Sequence, residues 1–271
     1  MPNLFLRFYR QLPAFKGKLS LGRILFKKLI NQDTPIQLKA HQQIKYNIPN
    51  TIESLGVELL FNGIYEKDMV AFLQNHLKPG DIYFDIGANI GALGMPVIKK
   101  KKNVKYFGFE ASPTTFEYLK LNFQQNNFHH YELHNNLVYE CDNFSTKFYE
   151  TDKYGEGSLA PTFTDHYVFV NSVTLDTFCI ERNLTRINLM KVDVQGFELS
   201  VFKGMKQLLL NKKVDNILFE FEHWAEEWAG VEKGAAQQFL LDMGYHLFDI
   251  KGKRLTEIVV FGQTMIWARP A

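Results

Sequence analysis

The stretch Tyr83–Gly91, YFDIGANIG, followed by Glu110 in the segment YFGFEAS (106–112), decides the fold. An apolar run ending in Asp85, a glycine turn and a second apolar run ending in Glu110 describe a strand, a ligand-binding loop, a helix and a second strand. That is half of a Rossmann-like site. Gly87 and Gly91 lack a Cβ, so the backbone can turn sharply and admit a ligand close to the loop and the start of the next helix. Glu110, at the tip of the second strand, is placed to accept both hydroxyl hydrogens of a ribose. A hydrogen bond to a charged group is worth about 1.5–3 kcal/mol, enough for one carboxylate to orient a nucleoside.

The glycine pattern narrows the choice of nucleoside. A dinucleotide fingerprint reads G-x-G-x-x-G, because its second glycine lets the backbone reach a pyrophosphate. Here Asn89 holds that position, in GANIG. Asp85, two residues before Gly87, stands where a cationic ligand could be received. S-adenosylmethionine carries a sulfonium and an ammonium and no phosphate, so the loop suits it better than NAD. An NAD-dependent oxidoreductase and a non-catalytic adenosyl-binding protein are the alternative readings.

Further motifs follow in order: GIYEKD (63–68), PGDIYFDIGANIG (79–91), FEASPTTFEYLKLNF (109–123), VTLDTF (173–178), KVDVQGFELSVFKG (191–204) and ILFEFE (217–222). From Gly63 onward the chain resembles the FkbM-type S-adenosylmethionine-dependent methyltransferases. The resemblance implies a Rossmann-like class I methyltransferase fold of the α/β class, a seven-stranded, mostly parallel sheet with helices on both faces. It also implies an O-methyltransferase acting on a hydroxyl of a sugar, in a glycan, glycolipid or secondary metabolite. The family's usual D-V-E-G-x-E reads D-V-Q-G-F-E here, with Gln195 in place of the first Glu and with Asp193 and Glu198 kept.

Ligands of open parallel sheets bind beyond the carboxyl ends of the strands. Asp85, Glu110, Asn136, Asp193 and Glu220 each fall at or just beyond such an end, so the donor site is expected to include Asp85, Gly87, Ala88, Asn89, Gly91, Glu110, Ala111, Asn136 and Asp193. By resemblance Glu66 closes over the amino acid end of the donor. Methyl transfer to an aliphatic hydroxyl is an in-line displacement that profits from a base. The candidates are Asp193, which ends the fourth strand, with Glu220, Glu222 and His223 in FEFEHW; of these His223 has the ordinary pKa nearest neutrality. Trp224 and Trp228, four apart, share a helix face and line an acceptor pocket or pack in the core.

Composition sets the limits. The chain has 271 residues, 46% of them hydrophobic, and a net charge of +2. This describes one large core and argues against a polyanion binder, so nucleic acid is not the expected partner. Cys141 and Cys179 form no metal-binding pattern, and no metal is expected. The absence of a long apolar run leads to the expectation of a cytoplasmic protein. Two segments are expected: a basic extension and flap at 1–60, and the methyltransferase domain at 61–271. Residues 1–31 carry Arg7, Arg10, Lys16, Lys18, Arg23, Lys27 and Lys28 without an acid, interleaved with apolar residues. Such an opening can touch a membrane surface, or pack on the domain or on a second subunit of a homo-oligomer.

The core reads as strands at 82–86, 105–110, 131–135, 187–192 and 216–220, with helices at 91–99, 113–126, 176–182, 197–210 and 235–243, and a terminal pair at 245–250 and 263–268. Residues 36–60 suggest short strands and a flap. Residues 140–170 break the alternation and are expected to form an insertion that contacts the acceptor.

Overall fold

Alternation of side chains along the strands determines how the molecule is layered. In the computed structural model, which describes residues 4–13, 15–30, 34–151, 157–161 and 164–271, seven strands form one sheet: β1 Ile82–Ile86, β2 Lys105–Phe109, β3 Tyr131–His134, β4 Leu189–Val192, β5 Ile217–Glu222, β6 Tyr245–Asp249 and β7 Gln263–Pro270. Their spatial order is β3-β2-β1-β4-β5-β7-β6. The first five are parallel, and β7 runs antiparallel to both neighbours. The order reverses between β1 and β4, which opens a crevice at their carboxyl ends.

Successive residues of β1 serve opposite faces, as a pleated strand requires. Phe84 and Ile86 join a core with Phe107, Phe109, Met190 and Phe219, whereas Tyr83 joins one with Tyr106, Leu189 and Leu218. A sheet buried on both faces explains why β1, β2 and β4 read as nearly continuous apolar runs.

The expected elements are present, with informative shifts. The helix after the glycine loop starts at Gly94 rather than Gly91. Starting there puts Pro96 in the first turn, where its missing N–H is not needed. The helix expected over 197–210 is two, Glu198–Lys203 and Lys206–Leu210. At the break, a Cβ on Gly204 would lie 2.0 Å from the carbonyl oxygen of Tyr139. Asp176, whose role the sequence leaves open, caps the second piece by accepting from the N–H groups of Gln207 and Leu208 at 2.9 and 3.0 Å.

The expected flap at 36–60 is clamped. Strands Ile36–Lys39 and Lys45–Ile48 pair antiparallel, and Ile44, Tyr46 and Ile48 enter the core. Asn122 and Asn126, at the end of helix Pro113–Gln125, accept from the N–H groups of Asn47 and Lys45 at 2.6 and 2.8 Å. Helix Ser54–Asn62, which the sequence pattern did not announce, runs across the boundary expected at residue 60. Between β3 and β4, strands Leu137–Val138, Ser145–Tyr149 and Tyr167–Val173 make a small separate sheet. Tyr154–Glu156 of the YGEGS motif lie outside the described residues.

Candidate active site

Two cavities flank the glycine loop and share Gly87, Asn89, Asp193 and Gln195 as a common wall. The first, about 830 Å³, is lined by Glu110, Ala111, Ser112, Asn136 and Phe197, and by Pro49 and Asn50 from the clamped hairpin. The second, about 480 Å³, is lined by Tyr65, Glu66, Ala88, Lys191, Glu220, Glu222, Trp224 and Gln263.

Gly87 has φ +72, and a Cβ there would stand 2.0 Å from the carbonyl oxygen of Asp193. Only glycine lets the loop after β1 touch the end of β4 in this way. Asn89 sits in the left-handed region, φ +50, a conformation asparagine tolerates better than most residues. Its N–H donates to Glu110 Oε2 at 2.9 Å, and the N–H of Ser112 donates to Oε1 at 3.0 Å. Glu110 thus knots the loop to the strand tip, and each oxygen keeps a lone pair toward the first cavity. Burial pushes its carboxyl up to about 7 against the pull of those two N–H groups.

Lys191 ties the loop to β4. It is 3% exposed and donates to the carbonyl of Gly87 at 2.7 Å, with Asp193 at 3.4 Å and Asp85 at 3.5 Å. Burial alone would lower its pKa, but the surrounding carboxylates prevail and raise it, so it stays charged. A lysine inside the apolar run LMKV was the signal for this role, since a buried lysine needs partners.

Asp85 requires correction. It is fully buried, accepts from the Tyr106 hydroxyl at 2.9 Å and lines neither cavity. Strand alternation points it away from the Phe84 face, under the start of helix Gly94–Lys100, where Gly94 leaves room for it. It therefore holds Lys191 rather than a ligand. Gly91 is corrected too: it faces Phe123 and Leu119 and shapes the core. His223 lines neither cavity; the N–H of Gly262 donates to its Nδ1 at 3.3 Å and its ring packs against Phe261.

The remaining expected residues divide between the cavities. Ala111 and Asn136 join Glu110 in the first, whereas Glu66, Ala88 and Glu222 line the second. Glu66 thus lies across the loop from Glu110. The 140–170 segment, expected to contact the acceptor, covers the first cavity through Phe148, Glu150 and Thr151, and none of its described residues lines the second.

In the second cavity Gln195 Nε2 lies 3.2 Å from Asp193 Oδ1 and 3.4 Å from Glu220 Oε2, and Gln263 Nε2 donates to Glu220 Oε1 at 2.8 Å. Burial and the neighbouring Asp193 charge push Glu220 up to about 10, so it is protonated and hydrogen-bonds Asp193. Burial opposes the charge on Asp193, yet Lys191, Glu220 and Gln195 outweigh it and hold its pKa below the usual range. Burial and Asp193 raise Glu222 to about 7. Among the described residues no group of His, Cys, Asp and Glu has the arrangement to hold a metal ion.

Comparison with known proteins identifies the family. A protein 27% identical over 144 residues, covering 53% of this chain and 58% of its own length, is the hexuronic acid methyltransferase AglP of Haloferax volcanii. A tRNA (guanine(37)-N(1))-methyltransferase of Leishmania braziliensis is 31% identical over 70 residues, 24% of this chain and 10% of that protein. Among solved structures, a TehB-like SAM-dependent methyltransferase from Corynebacterium glutamicum aligns with a TM-score of 0.45 at 12% identity, covering 79% of this chain and 93% of the other. A precorrin-6y C5,15-methyltransferase from Geobacter metallireducens aligns at 0.44 and 12%, covering 77% and 92%. The methyltransferase FkbM domain matches residues 85–247, a span that holds the glycine loop, Glu110, Asn136, the Lys191–Gln195 segment and the three acids Asp193, Glu220 and Glu222, and the chain belongs to that family.

Proposed function

We propose that this protein is an S-adenosylmethionine-dependent O-methyltransferase whose acceptor is an uncharged sugar hydroxyl. The observation that carries the reading is the pair of cavities meeting at Gly87, Asn89 and Asp193, one with a ribose-type carboxylate and one lined with carboxyl groups. The first has the volume of a small-molecule site. Its residues fit the donor: Glu110 has spare lone pairs for ribose hydroxyls, and the ionised Asp193 stands on the wall shared with the second cavity. A pyrophosphate would face Glu110 and Asp193, and the nearby Lys191 is already engaged by two carboxylates.

When bound, the donor supplies an electrophilic methyl group on a sulfonium. Asp193, which lines both cavities, would accept the hydroxyl proton of the acceptor as its oxygen took the methyl group that a bound donor would supply. Lys191 and Gln195 orient the carboxylate, and Glu220 shares the charge of the pair. Glu222 and Trp224 wall the acceptor, the indole suiting the flat face of a sugar ring.

The family relation and AglP favour a sugar acceptor, but the second cavity opposes an anionic one. At an effective dielectric constant near 20, an unpaired carboxylate about 5 Å from another costs about 3 kcal/mol. The same repulsion opposes a nucleic-acid acceptor. Calorimetric titration with S-adenosylmethionine, S-adenosylhomocysteine and NAD tests the donor, with saturable binding of the two adenosyl ligands alone as the expected result. NAD binding alone would sink the reading. A panel of neutral sugars and hexuronates, followed by mass spectrometry for an added methyl group, tests the acceptor.

A further inference from the structure

The first two helices of the chain both present apolar side chains to solvent. Helix Leu4–Gln11 buries Leu6 and Tyr9, yet presents Phe5, Phe8 and, just past its end, Leu12 to solvent, with Phe8 61% exposed. Helix Lys18–Leu25 turns Lys18 and Gly22 inward and Leu21, Ile24 and Leu25 outward, with Ile24 73% exposed. The inward face is specific. Lys18 donates to the carbonyl of Leu12 at 2.7 Å, and a Cβ on Gly22 would press on the Phe61 ring at 2.8 Å. An outer face this apolar departs from the pattern of a helix that only has a core to cover.

The charges around the outer face are of one sign. Arg7, Lys16, Arg23, Lys27 and Lys28 are exposed and the segment 4–30 holds no acid. Two of the seven bases counted in the sequence are withdrawn: Lys18 as above, and Arg10, which donates to the carbonyls of Leu60 and Lys39 at 2.6 and 2.7 Å. Lys18 and Arg10 thus lock the arm to the domain, and Arg7, Lys16, Arg23 and Lys27 lie exposed beside rings and aliphatic side chains. No helix among the described residues is long and apolar enough to cross a membrane.

We infer that helices Leu4–Gln11 and Lys18–Leu25 form a platform that lies on an anionic lipid surface, with Phe8, Leu21 and Ile24 entering the acyl boundary and Arg7, Lys16, Arg23 and Lys27 meeting headgroups. Apolar insertion and basic attraction act together in such interfacial helices, and each base near the surface contributes a factor of about five in affinity. The arm packs on helix Ser54–Asn62 through Val57, Leu60 and Phe61. Ser54 and the preceding Ile52 and Glu53 line the second cavity, so docking brings the acceptor side of the site next to the bilayer.

The test is flotation of the purified full chain with vesicles of phosphatidylcholine alone or mixed with phosphatidylglycerol. Binding is expected only to the mixed vesicles and to weaken as salt rises. Phe8→Ser with Ile24→Ser should lower vesicle affinity at least about tenfold, with an unchanged thermal midpoint because both side chains project outward. Arg23→Glu with Lys27→Glu, which leaves the apolar face intact, should also abolish the preference for anionic lipid. Failure of the parent chain to float with mixed vesicles would overturn the inference. So would a dimer in solution that the Phe8 and Ile24 changes dissolve, since a second copy would then cover this face.

Discussion

The two cavities on either side of the glycine loop are built by opposite means. On the Glu110 side the walls come from several segments, but the carboxylate itself is held by two backbone N–H groups, from the loop after β1 and the tip of β2. The acidic side gathers Glu66, Asp193, Glu220 and Glu222 from three separate segments, and its contacts run between side chains. Backbone donors are fixed by the fold, whereas a carboxyl cluster is set by protonation, so the first half is suited to hold a ligand in place and the second to exchange a proton.

The largest expected effect separates these two tasks. Asp193→Asn keeps the shape of the shared wall and removes the proposed base. Turnover should fall about a hundred- to ten-thousandfold, the usual contribution of general base catalysis, while donor affinity changes far less. Stopped-time methylation assays beside calorimetry would show it. Equal losses in the two quantities would mean that Asp193 belongs to donor binding and that the halves are not distinct.

The next effect lies on the other side. Glu110→Ala removes the proposed acceptor of the ribose hydroxyls, and the donor should bind about ten- to a hundredfold more weakly, as loss of a hydrogen bond to a charged group implies. The parent adds a pH signature. Its Glu110 carboxyl is raised to about 7, so donor affinity should decline as pH falls through 7 and the carboxylate takes up a proton. Before the donor binds, the sign for stability is opposite. A carboxyl raised on folding contributes stability below its ordinary value that is lost as pH rises through 7. Titrations from pH 8 to pH 5.5 read the first trend, and melting of the free protein reads the second.

How legible each half was follows from the same contrast. The loop, Glu110 and the strands announce themselves because local motif and apolar runs coincide, and five parallel strands lie where the alternation of strand and helix puts them. Asp85 misled because sequence places a residue near a strand end without telling which face it takes, and one step of pleat decides between ligand and interior. Lys191 was legible in principle as a cation inside LMKV, but its partners come from 85 and 193, a pairing that only the neighbouring of β1 and β4 creates. His223 showed the limit of choosing a base by ordinary pKa, since the turn into helix His223–Trp228 sends its ring to Gly262 and leaves Glu222 facing the cavity. The covering of the first cavity by residues of the 140–170 segment depends on long-range contacts such as those of Glu150 with Ser112 and Thr114, which no local signal encodes.

The smallest expected effect sharpens the comparison at the one residue where the chain departs from its family's motif. Gln195 has φ +54 and its amide is within reach of both Asp193 and Glu220, so it supplies donors to a pair that already holds excess negative charge. Gln195→Glu keeps the size of the side chain and replaces donors with a third carboxylate. Like charges disfavour ionisation, so the pH at which Asp193 becomes an effective base should move upward. Activity rises with pH as a base loses its proton; a higher pKa therefore shifts the rising limb of the kcat profile toward higher pH, by about one unit if the added repulsion is about 1.4 kcal/mol. Donor affinity at pH 8 should hardly change, because Glu110 and its two N–H partners lie across the loop. A profile that stays in place would remove the Asp193–Glu220 pair from the proton-transfer step, and a change in donor affinity as large as the change in rate would show that the wall between the cavities transmits charge rather than separating two tasks.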